Sequence, residues 1–217
     1  MSGEPETRGV FIAFEGPEGS GKTTQLGRLA ARLEALGQVP LTTKEPGGTA
    51  VGERLRALVL DPALRMHPET ELLLYAASRA ELVASVLKPA LAAGRVVLCD
   101  RFTGATVAYQ GEGRGLPKDW IGVLNARVTG GLKPHLTLLF DLPPEVGLAR
   151  VARRGARDRL EQAAFAFHER VRRGFLQQAE QDPSWHVLDA SRPEEEVAGA
   201  VWRLVAPLLR DRGALGR

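Results

Sequence analysis

Residues 16–23 have the spacing of a phosphate-binding loop. They read Gly-Pro-Glu-Gly-Ser-Gly-Lys-Thr, which matches the pattern G-x-x-x-x-G-K-[ST]. In such a loop the backbone N–H groups point at a polyphosphate, the lysine contacts the β- and γ-phosphates, and the hydroxyl of Thr23 can bind Mg²⁺. An apolar run at 10–14 precedes the loop and a helical pattern begins near Thr24, which is the context that the motif requires. The chain is therefore predicted to bind a nucleoside triphosphate.

The nucleotide is expected to contact the whole loop and the start of the next helix, whose N-terminal end favours anions. The predicted donor-site residues are Gly16, Pro17, Glu18, Gly19, Ser20, Gly21, Lys22, Thr23 and Thr24.

The elements that must position this loop follow from the hydrophobic pattern. Five apolar runs are predicted strands, at 10–15, 39–44, 95–99, 136–141 and 185–189. Helical patterns lie between the strands. The first runs from about residue 24 to the stop at Gly37, and the others are at 69–87, 145–154, 162–181 and 193–209. The segment 111–118 is predicted to be an ordered loop. Such alternation predicts an α/β, three-layer fold with a five-stranded parallel sheet flanked by helices, in a single domain over 1–217.

Ligands of such sheets bind beyond the carboxyl ends of the strands, so residues at those ends are candidates for the same cleft. Asp100 ends the third predicted strand and is a candidate Mg²⁺ ligand, with Asp141 at the end of the fourth as a weaker rival. Arg101 can hold a second phosphate through two parallel hydrogen bonds. The alternative for Asp100 and Arg101 is a surface ion pair.

Several further residues are candidates for nucleoside recognition, although each also has a purely structural interpretation. Tyr75 and Arg79 are four residues apart on a predicted helix, where a ring can stack on a base and a guanidinium can bond to its edge. Tyr109 can pack on a sugar, and Gln110 can bond to a base. Arg56 can face the cleft or remain a solvated surface charge.

Eight arginines lie between residues 150 and 173. The segment 150–159 is predicted to be a basic hairpin with Gly155 as a hinge, part of a short lid over about 150–160 that closes on the phosphates. A solvated helix face and a nucleic-acid patch are the alternatives. No aromatic residues alternate with these arginines and the net charge is only +3, so we expect no nucleic-acid partner.

Composition is that of an ordinary globular chain, with 44% hydrophobic and 25% charged residues. No apolar run approaches the roughly 20 residues of a membrane span. The first nine residues are polar and lack an apolar signal core, and the single Cys99 cannot form an internal disulfide. A cytoplasmic protein with no membrane partner is expected.

Taken together, the motifs resemble bacterial thymidylate kinase, of the phosphate-loop nucleoside monophosphate kinase family, over roughly residues 8–209. The resemblance is carried by 14–24 around the loop, by Lys-Glu-Pro-Gly-Gly-Thr at 44–49, by Asp100-Arg101, by Ala-Tyr-Gln at 108–110 and by Asp-Arg-Leu-Glu at 158–161. It implies phosphorylation of dTMP to dTDP with ATP and Mg²⁺, in dTTP biosynthesis, by a homodimer. Mg²⁺ would be bound through Thr23 and Asp100.

The resemblance also implies roles by position. The catalytic residues would be Lys22, Arg101 and one or more of the lid arginines, Arg153, Arg154 and Arg157. Several residues are implied to bind dTMP. Arg56 and Arg101 would hold its phosphate, with Glu45 nearby, and Glu18 would contact the sugar hydroxyl. Tyr75 would stack on thymine, Arg79, Thr106 and Gln110 would bond to the base, and Tyr109 would also contact dTMP. Another nucleoside monophosphate kinase, for UMP/CMP or AMP, and a nucleotide sensor stay open as alternatives.

Overall fold

A computed structural model describes residues 9–153, 155 and 158–215. At its centre is a sheet of five strands: β1 (Val10–Glu15), β2 (Leu41–Lys44), β3 (Val96–Asp100), β4 (Leu136–Asp141) and β5 (Trp185–Asp189). Their order is β2-β3-β1-β4-β5, and every neighbouring pair is parallel. Because parallel neighbours need long crossovers, helices connect the strands and cover both faces. The predicted fold class is confirmed.

The described helices are α1 (Lys22–Ala35), α2 (Ala50–Leu60), α3 (Pro68–Leu82), α4 (Lys88–Ala92), α5 (Thr103–Thr106), α6 (Lys118–Thr129), α7 (Pro144–Ala152), α8 (Phe165–Gln181) and α9 (Glu194–Asp211). Two π-helical segments, Val83–Leu87 and Val107–Gly113, continue α3 and α5. None of the helices in the described ranges is both long and apolar enough to cross a bilayer.

Alternate residues of β1 enter two different cores. Val10 packs with Leu33 of α1 and Val205 of α9, on one side of the sheet. Phe11 packs with Leu87, on the other side. Strands covered on both faces are apolar at every position, which is why the runs in the sequence do not alternate.

Several boundaries differ from the sequence-based expectation by one to three residues, and helices α2 and α6 were not predicted. Two of the differences have a clear physical reason. β2 begins at Leu41 instead of residue 39, because Val39 is 69% exposed and Pro40 has no N–H for the ladder. The loop predicted at 111–118 is wrong in its first part, since the π-helical segment runs to Gly113. Glycine is a weak helix former, yet a Cβ at Gly113 would lie 2.6 Å from the ring of Phe167. Close packing on α8 therefore overrides the local propensity.

Pairing of β1 with β3 determines where the site forms. Phe14 is in register with Asp100, so the loop that follows β1 and the Asp100-Arg101 corner leave the sheet side by side. Arg101 N–H donates to the carbonyl oxygen of Phe14 at 2.9 Å, which ties the two chain segments together at the cleft.

Candidate active site

A cleft of about 1100 Å³ lies at the carboxyl ends of the strands. It brings together most of the predicted site residues: Glu18, Gly19, Ser20, Gly21, Lys22, Thr23, Thr24, Glu45, Arg56, Tyr75, Arg79, Asp100, Arg101, Thr106, Tyr109 and Gln110. Gly16 and Pro17 contribute backbone carbonyls beside it but do not line it. Arg153 is exposed and does not line it, and Arg154 and Arg157 lie outside the described residues.

The phosphate loop needs its glycines for both conformation and space. Gly16 has φ 144°, and a Cβ there would lie 2.5 Å from the carbonyl oxygen of Phe140. Gly19 has φ 69°, and a Cβ there would lie 2.3 Å from the carbonyl oxygen of Gly147 in α7. Both φ values are in the region that side chains disfavour. The loop is thus pressed against β4 and α7, with no room for side chains at these two positions.

Lys22 is folded back onto its own loop. Its Nζ donates to the carbonyl oxygen of Pro17 at 2.8 Å and to Ser20 Oγ at 3.2 Å. Burial, with the positive charge of Arg101, lowers the pKa of Lys22 to about 8. These neutral acceptors are weaker partners than a phosphate, so a bound nucleotide can take the ammonium from them.

The two predicted metal ligands touch each other. Thr23 Oγ1 donates to Asp100 Oδ2 at 2.5 Å, at the floor of the cleft beside the loop. No group of three or more His, Cys, Asp or Glu suited to a metal occurs within the described ranges. Magnesium that bridges nucleotide phosphates needs only one or two protein oxygens, so a hydroxyl and a carboxylate at this place fit that ion. The rival carboxylate, Asp141, is instead paired with Arg172 through two bonds of 2.7 and 2.8 Å.

Arg101 joins the phosphate loop to Tyr109. Its Nη1 donates to the Gly16 carbonyl oxygen at 3.0 Å and its Nη2 to Glu18 Oε1 at 2.9 Å. The guanidinium lies 4.9 Å from the ring centre of Tyr109, whose hydroxyl donates to the same Glu18 oxygen at 2.6 Å. Arg101 has φ 71°, the only positive value among the described non-glycine residues. A strained arginine held in this way is typical of a functional position.

Glu18 is strongly acidic because of its neighbours. Burial alone would raise its pKa, but the charges of Arg101 and Lys22 and the hydrogen bond from Tyr109 outweigh burial and lower the pKa to about 2. The carboxylate therefore stays charged at neutral pH. It can accept a hydrogen bond from a ligand hydroxyl while it holds Arg101.

Arg56 faces the cleft and is not a free surface charge. Its Nη1 donates to the Pro46 carbonyl oxygen at 2.9 Å. The turn that supplies this carbonyl is fixed by Ser78 Oγ, which accepts from Gly47 N–H at 3.1 Å, and by the Thr49 side chain that caps α2. Arg56 and Arg101 thus both line the cleft.

Arg79 is buried, with 1% exposure, and most of its donors are used inside the protein. Its Nε donates to Glu45 at 2.7 Å, and its Nη1 donates to Asn125 at 2.8 Å. Its Nη2 donates to the Phe102 carbonyl oxygen at 3.2 Å and to Thr106 Oγ1 at 2.8 Å. A guanidinium has five N–H groups, so one on Nη1 is left for a ligand. Burial raises the pKa of Glu45 to about 7 although Arg79 opposes the shift.

Tyr75 and Gln110 complete this end of the cleft. Tyr75 is 9% exposed and Gln110 2% exposed, yet both line the cavity. Burial raises the pKa of Tyr75 above its ordinary value, so the hydroxyl is neutral and the ring can act as a stacking surface. Gln110 Nε2 donates to Glu71 Oε1 at 2.7 Å.

Sequence reasoning missed three buried polar residues that support the site, Glu15, Glu71 and Asn125. Asn125 and Glu71 lie on helices and give no local signal, because their partners Arg79 and Gln110 are 46 and 39 residues away. Glu15 does have a signal in the sequence, because it ends an apolar strand just as Asp100 does. Its Oε1 accepts the N–H groups that follow Arg101, from Phe102 at 2.9 Å and from Ala105 at 3.0 Å.

The basic segment is partly tied to the rest of the site. Arg150 Nη1 donates to the Gly19 carbonyl oxygen at 3.3 Å and to that of Ala190 at 3.1 Å. Arg159 Nη1 pairs with Glu71 at 2.6 Å. Gly155, the predicted hinge, has φ 112°. Both ends of the predicted lid are therefore anchored, one at the phosphate loop and the other at Glu71.

A parallel α/β sheet and a cleft that combines a phosphate loop with further arginines define a phosphate-loop phosphotransferase. The profile of one family within that class, thymidylate kinase, matches residues 14–201. The chain belongs to the thymidylate kinase family.

Curated relatives agree over nearly the whole chain. The chain is 55% identical to a thymidylate kinase of Deinococcus radiodurans, over 92% of this chain and 98% of the relative. It is 52% identical to one of Pseudomonas savastanoi pv. phaseolicola, over 94% and 98%, and 55% identical to one of a Synechococcus strain, over 92% and 96%.

Proposed function

We infer that this chain transfers the γ-phosphoryl group of ATP to dTMP, with Mg²⁺, and so forms ADP and dTDP for dTTP synthesis. Family membership supports the class of substrate. The observation that carries the mechanism is the position of Arg101, whose guanidinium touches both the Gly16 carbonyl oxygen and Glu18. A cation suited to the acceptor phosphate is thus in contact with the loop suited to the donor.

The reaction needs no general base. A phosphate monoester has a second pKa near 6, so the acceptor is mostly a dianion at pH 7 and is already nucleophilic. The difficulty is to align two anions that repel each other. Lys22, Arg56 and Arg101 supply fixed positive charge for this purpose, and the loop N–H groups orient the donor.

Thr23 and Asp100 are proposed to hold Mg²⁺ together with the donor phosphates. When bound, the ion supplies positive charge to the β- and γ-phosphate oxygens. Within the protein, the Thr23–Asp100 contact keeps both oxygens at the end of β3 next to the loop.

The remaining acceptor residues are proposed to hold the nucleoside. Tyr75 would stack on the thymine ring, and Arg79, Thr106 and Gln110 would fix the base edge. Glu18 would accept the sugar hydroxyl, and Tyr109, bonded to Glu18 at 2.6 Å, would orient that carboxylate. Glu45 would act through Arg79, which it contacts at 2.7 Å.

The lid arginines are proposed to complete the site after substrates bind. Arg153, Arg154 and Arg157 flank or follow the end of α7, which lies against the phosphate loop at Gly19. Movement about Gly155 would bring guanidinium groups to the transferred phosphoryl and exclude water.

We also propose that the chain acts as a homodimer in the cytoplasm. The helix α3 packs between α2 and α6, and these three helices leave large apolar side chains uncovered: Val51, Leu58, Leu73, Trp120 and Val123, each 42–63% exposed. An apolar patch of this kind on adjacent helices is typical of an isologous interface. Leu73→Glu combined with Val123→Glu is expected to give a monomer by light scattering, and an unchanged mass would contradict this interface.

ADP release tests the proposed reaction. The enzyme with Mg²⁺ and ATP is given dTMP, dUMP, UMP, CMP or AMP in turn. We expect the highest kcat/KM with dTMP and a value about 10- to 200-fold lower with dUMP, because a pocket gains roughly 1–3 kcal/mol from one methyl group. Equal kcat/KM for dUMP and dTMP, or preference for UMP, CMP or AMP, would contradict the assignment.

A further inference from the structure

Glu71 is a fully buried carboxylate that has no contact with a substrate in the function proposed above, where it only anchors one end of the lid through Arg159. It lies on α3 with 0% exposure. Its Oε1 accepts from Gln110 Nε2 at 2.7 Å and from Arg114 Nε at 3.3 Å, and its Oε2 accepts from Arg114 Nη2 at 3.1 Å and from Arg159 at 2.6 Å. The two guanidinium groups and the Gln110 amide outweigh the effect of burial and lower the pKa of Glu71, so the carboxyl is ionised at neutral pH.

An ionised carboxylate accepts hydrogen bonds and cannot donate them. Gln110 must therefore present its NH₂ group to Glu71. The carbonyl oxygen, Oε1, then points away from Glu71. Gln110 lines the cleft, and no donor in the described part of the chain bonds to that oxygen. The free oxygen is thus available to a ligand.

We propose that Glu71 is a positioning residue that locks the Gln110 amide with its oxygen toward the nucleobase, so that the site accepts thymine and rejects cytosine. The inference rests on the proposed function. Thymine has an N3–H donor next to a C4 carbonyl acceptor, and cytosine has an N3 acceptor next to a C4 amino donor. A fixed amide oxygen pairs with the thymine N3–H and meets a lone pair on cytosine.

Arg79 makes the same distinction at the neighbouring atom. Its four internal bonds fix the guanidinium, and the remaining Nη1–H can donate to the thymine C4 oxygen but not to a cytosine amino group. The Arg79 donor is held by Glu45 and the Gln110 acceptor by Glu71. Together they match the C4 oxygen and the N3–H of thymine. If the amide of Gln110 were free to rotate, it could bond to N3 of either thymine or cytosine. Only the contact of Arg79 at C4 would then discriminate between the two bases.

The test compares kcat/KM for dTMP with kcat/KM for dCMP. In Glu71→Gln the partner of Gln110 can offer either an oxygen or an NH₂ group, so the amide is no longer fixed. We expect the dTMP/dCMP ratio to fall by about tenfold to a hundredfold, the cost of one unpaired buried polar group. Glu71→Asp keeps the charge for both arginines but withdraws the carboxylate by one methylene, and we expect a fall in the same direction.

Arg114→Gln is the matched control. Arg114 bonds to the same carboxylate but leaves the Glu71–Gln110 bond in place, so we expect lower thermal stability with an unchanged dTMP/dCMP ratio. A second control removes the amide. In a Gln110→Leu background, Glu71→Gln is expected to cause no further change in the ratio, because its effect passes through Gln110.

The outcomes separate this inference from the proposed function. If the unmodified enzyme phosphorylates dTMP but both Glu71 variants keep its dTMP/dCMP ratio, the positioning role is overturned. If the unmodified enzyme does not use dTMP, the proposed function fails first. If neither variant folds, side-chain amide NMR of the unmodified enzyme decides, with Gln110→Leu assigning the signal. Slow exchange of one Gln110 Nε2 proton supports the bond to Glu71, and fast exchange of both contradicts it.

Discussion

The two ends of the cleft hold their polar groups in different ways. At the end proposed to bind phosphates (the phosphate end), Lys22 and Arg56 bond to backbone carbonyls, and Arg101 bonds to one carbonyl and to Glu18. At the end proposed to bind the nucleobase (the base end), Arg79 and Gln110 are nearly fully buried and are each bonded to a buried carboxylate.

This difference corresponds to two tasks. Charged phosphate oxygens are stronger acceptors than carbonyls, so the cations of the phosphate end can exchange their internal partners for substrate. A buried carboxylate is not displaced in this way, because its separation from its partner would leave a charge unpaired. We therefore expect the phosphate end to rearrange when substrates bind, and the base end to stay fixed and to discriminate between bases.

Removal of Lys22 should produce the largest change in activity. We expect Lys22→Ala to lower kcat by about 10³-fold or more, because charge that develops in the transition state loses its partner. The melting temperature should change little, since among the described residues the lysine bonds to Pro17 and Ser20 alone. Lys118→Ala, at an exposed ion pair with Glu112, is the control and should retain full activity. Undiminished turnover by Lys22→Ala would rule out its assigned role.

Arg101→Ala should mainly affect the acceptor. We expect kcat/KM for dTMP to fall by about 10²-fold, while the Kd for ATP, measured by calorimetry, changes much less. Arg101→Lys should recover only part of the loss, because an ammonium cannot form two parallel bonds to a phosphate. A drop in ATP affinity as large as the drop in kcat/KM would place Arg101 on the donor side instead.

A pair of arginines contrasts the two ends directly. Arg79→Met leaves Glu45 buried without its partner, and we expect the free energy of unfolding to fall by about 3–5 kcal/mol. Arg56→Met removes a bond to a backbone carbonyl at a partly exposed position, and we expect a loss of about 1 kcal/mol or less with a raised KM for dTMP. Urea unfolding of both variants measures this. Equal losses of stability would remove the distinction between the two ends.

The sequence predicted the sheet and the phosphate end better than the base end. The loop at 16–23, Asp100 and Arg101 follow strands directly, so topology alone brings them together. The orientation of the Gln110 amide depends on Glu71, and that of the Arg79 guanidinium depends on Asn125 and Glu45. These partners lie on other elements. Spacing along one helix says nothing about such partners. The π-helical segment at Val107–Gly113 was missed for a similar reason, because contacts with α8 stabilise it against its glycines.

Stability should respond to pH with opposite signs at two buried carboxyls. Burial, opposed by Arg101, raises the pKa of Glu15 from 4.5 to about 7. The contribution of Glu15 to the free energy of unfolding is therefore full below about pH 4.5 and is lost as the pH rises to about 7. The pKa of Glu71 is lowered, so its contribution is present above about pH 4.5 and is lost on acidification. Because Glu15 is buried, its raised pKa should change the free energy of unfolding by roughly 1 kcal/mol per pH unit between pH 4.5 and 7.

Glu15→Gln isolates the first of these effects. Relative to the unmodified chain, this variant should be least stable near pH 4.5 and should approach it as the pH rises to 7. Urea unfolding at four pH values measures the difference. A difference that stays constant, or grows with pH, would mean that Glu15 is charged in the folded chain.

A crystal structure with dTMP, Mg²⁺ and a non-hydrolysable ATP analogue tests the contrast between the two ends most directly. The account predicts that Lys22, Arg56 and Arg101 leave the carbonyls of Pro17, Pro46 and Gly16 and contact phosphate oxygens. It also predicts that the Arg79–Glu45 and Gln110–Glu71 bonds stay in place. Cations that keep their carbonyl partners, or a base end that rearranges around thymine, would contradict it.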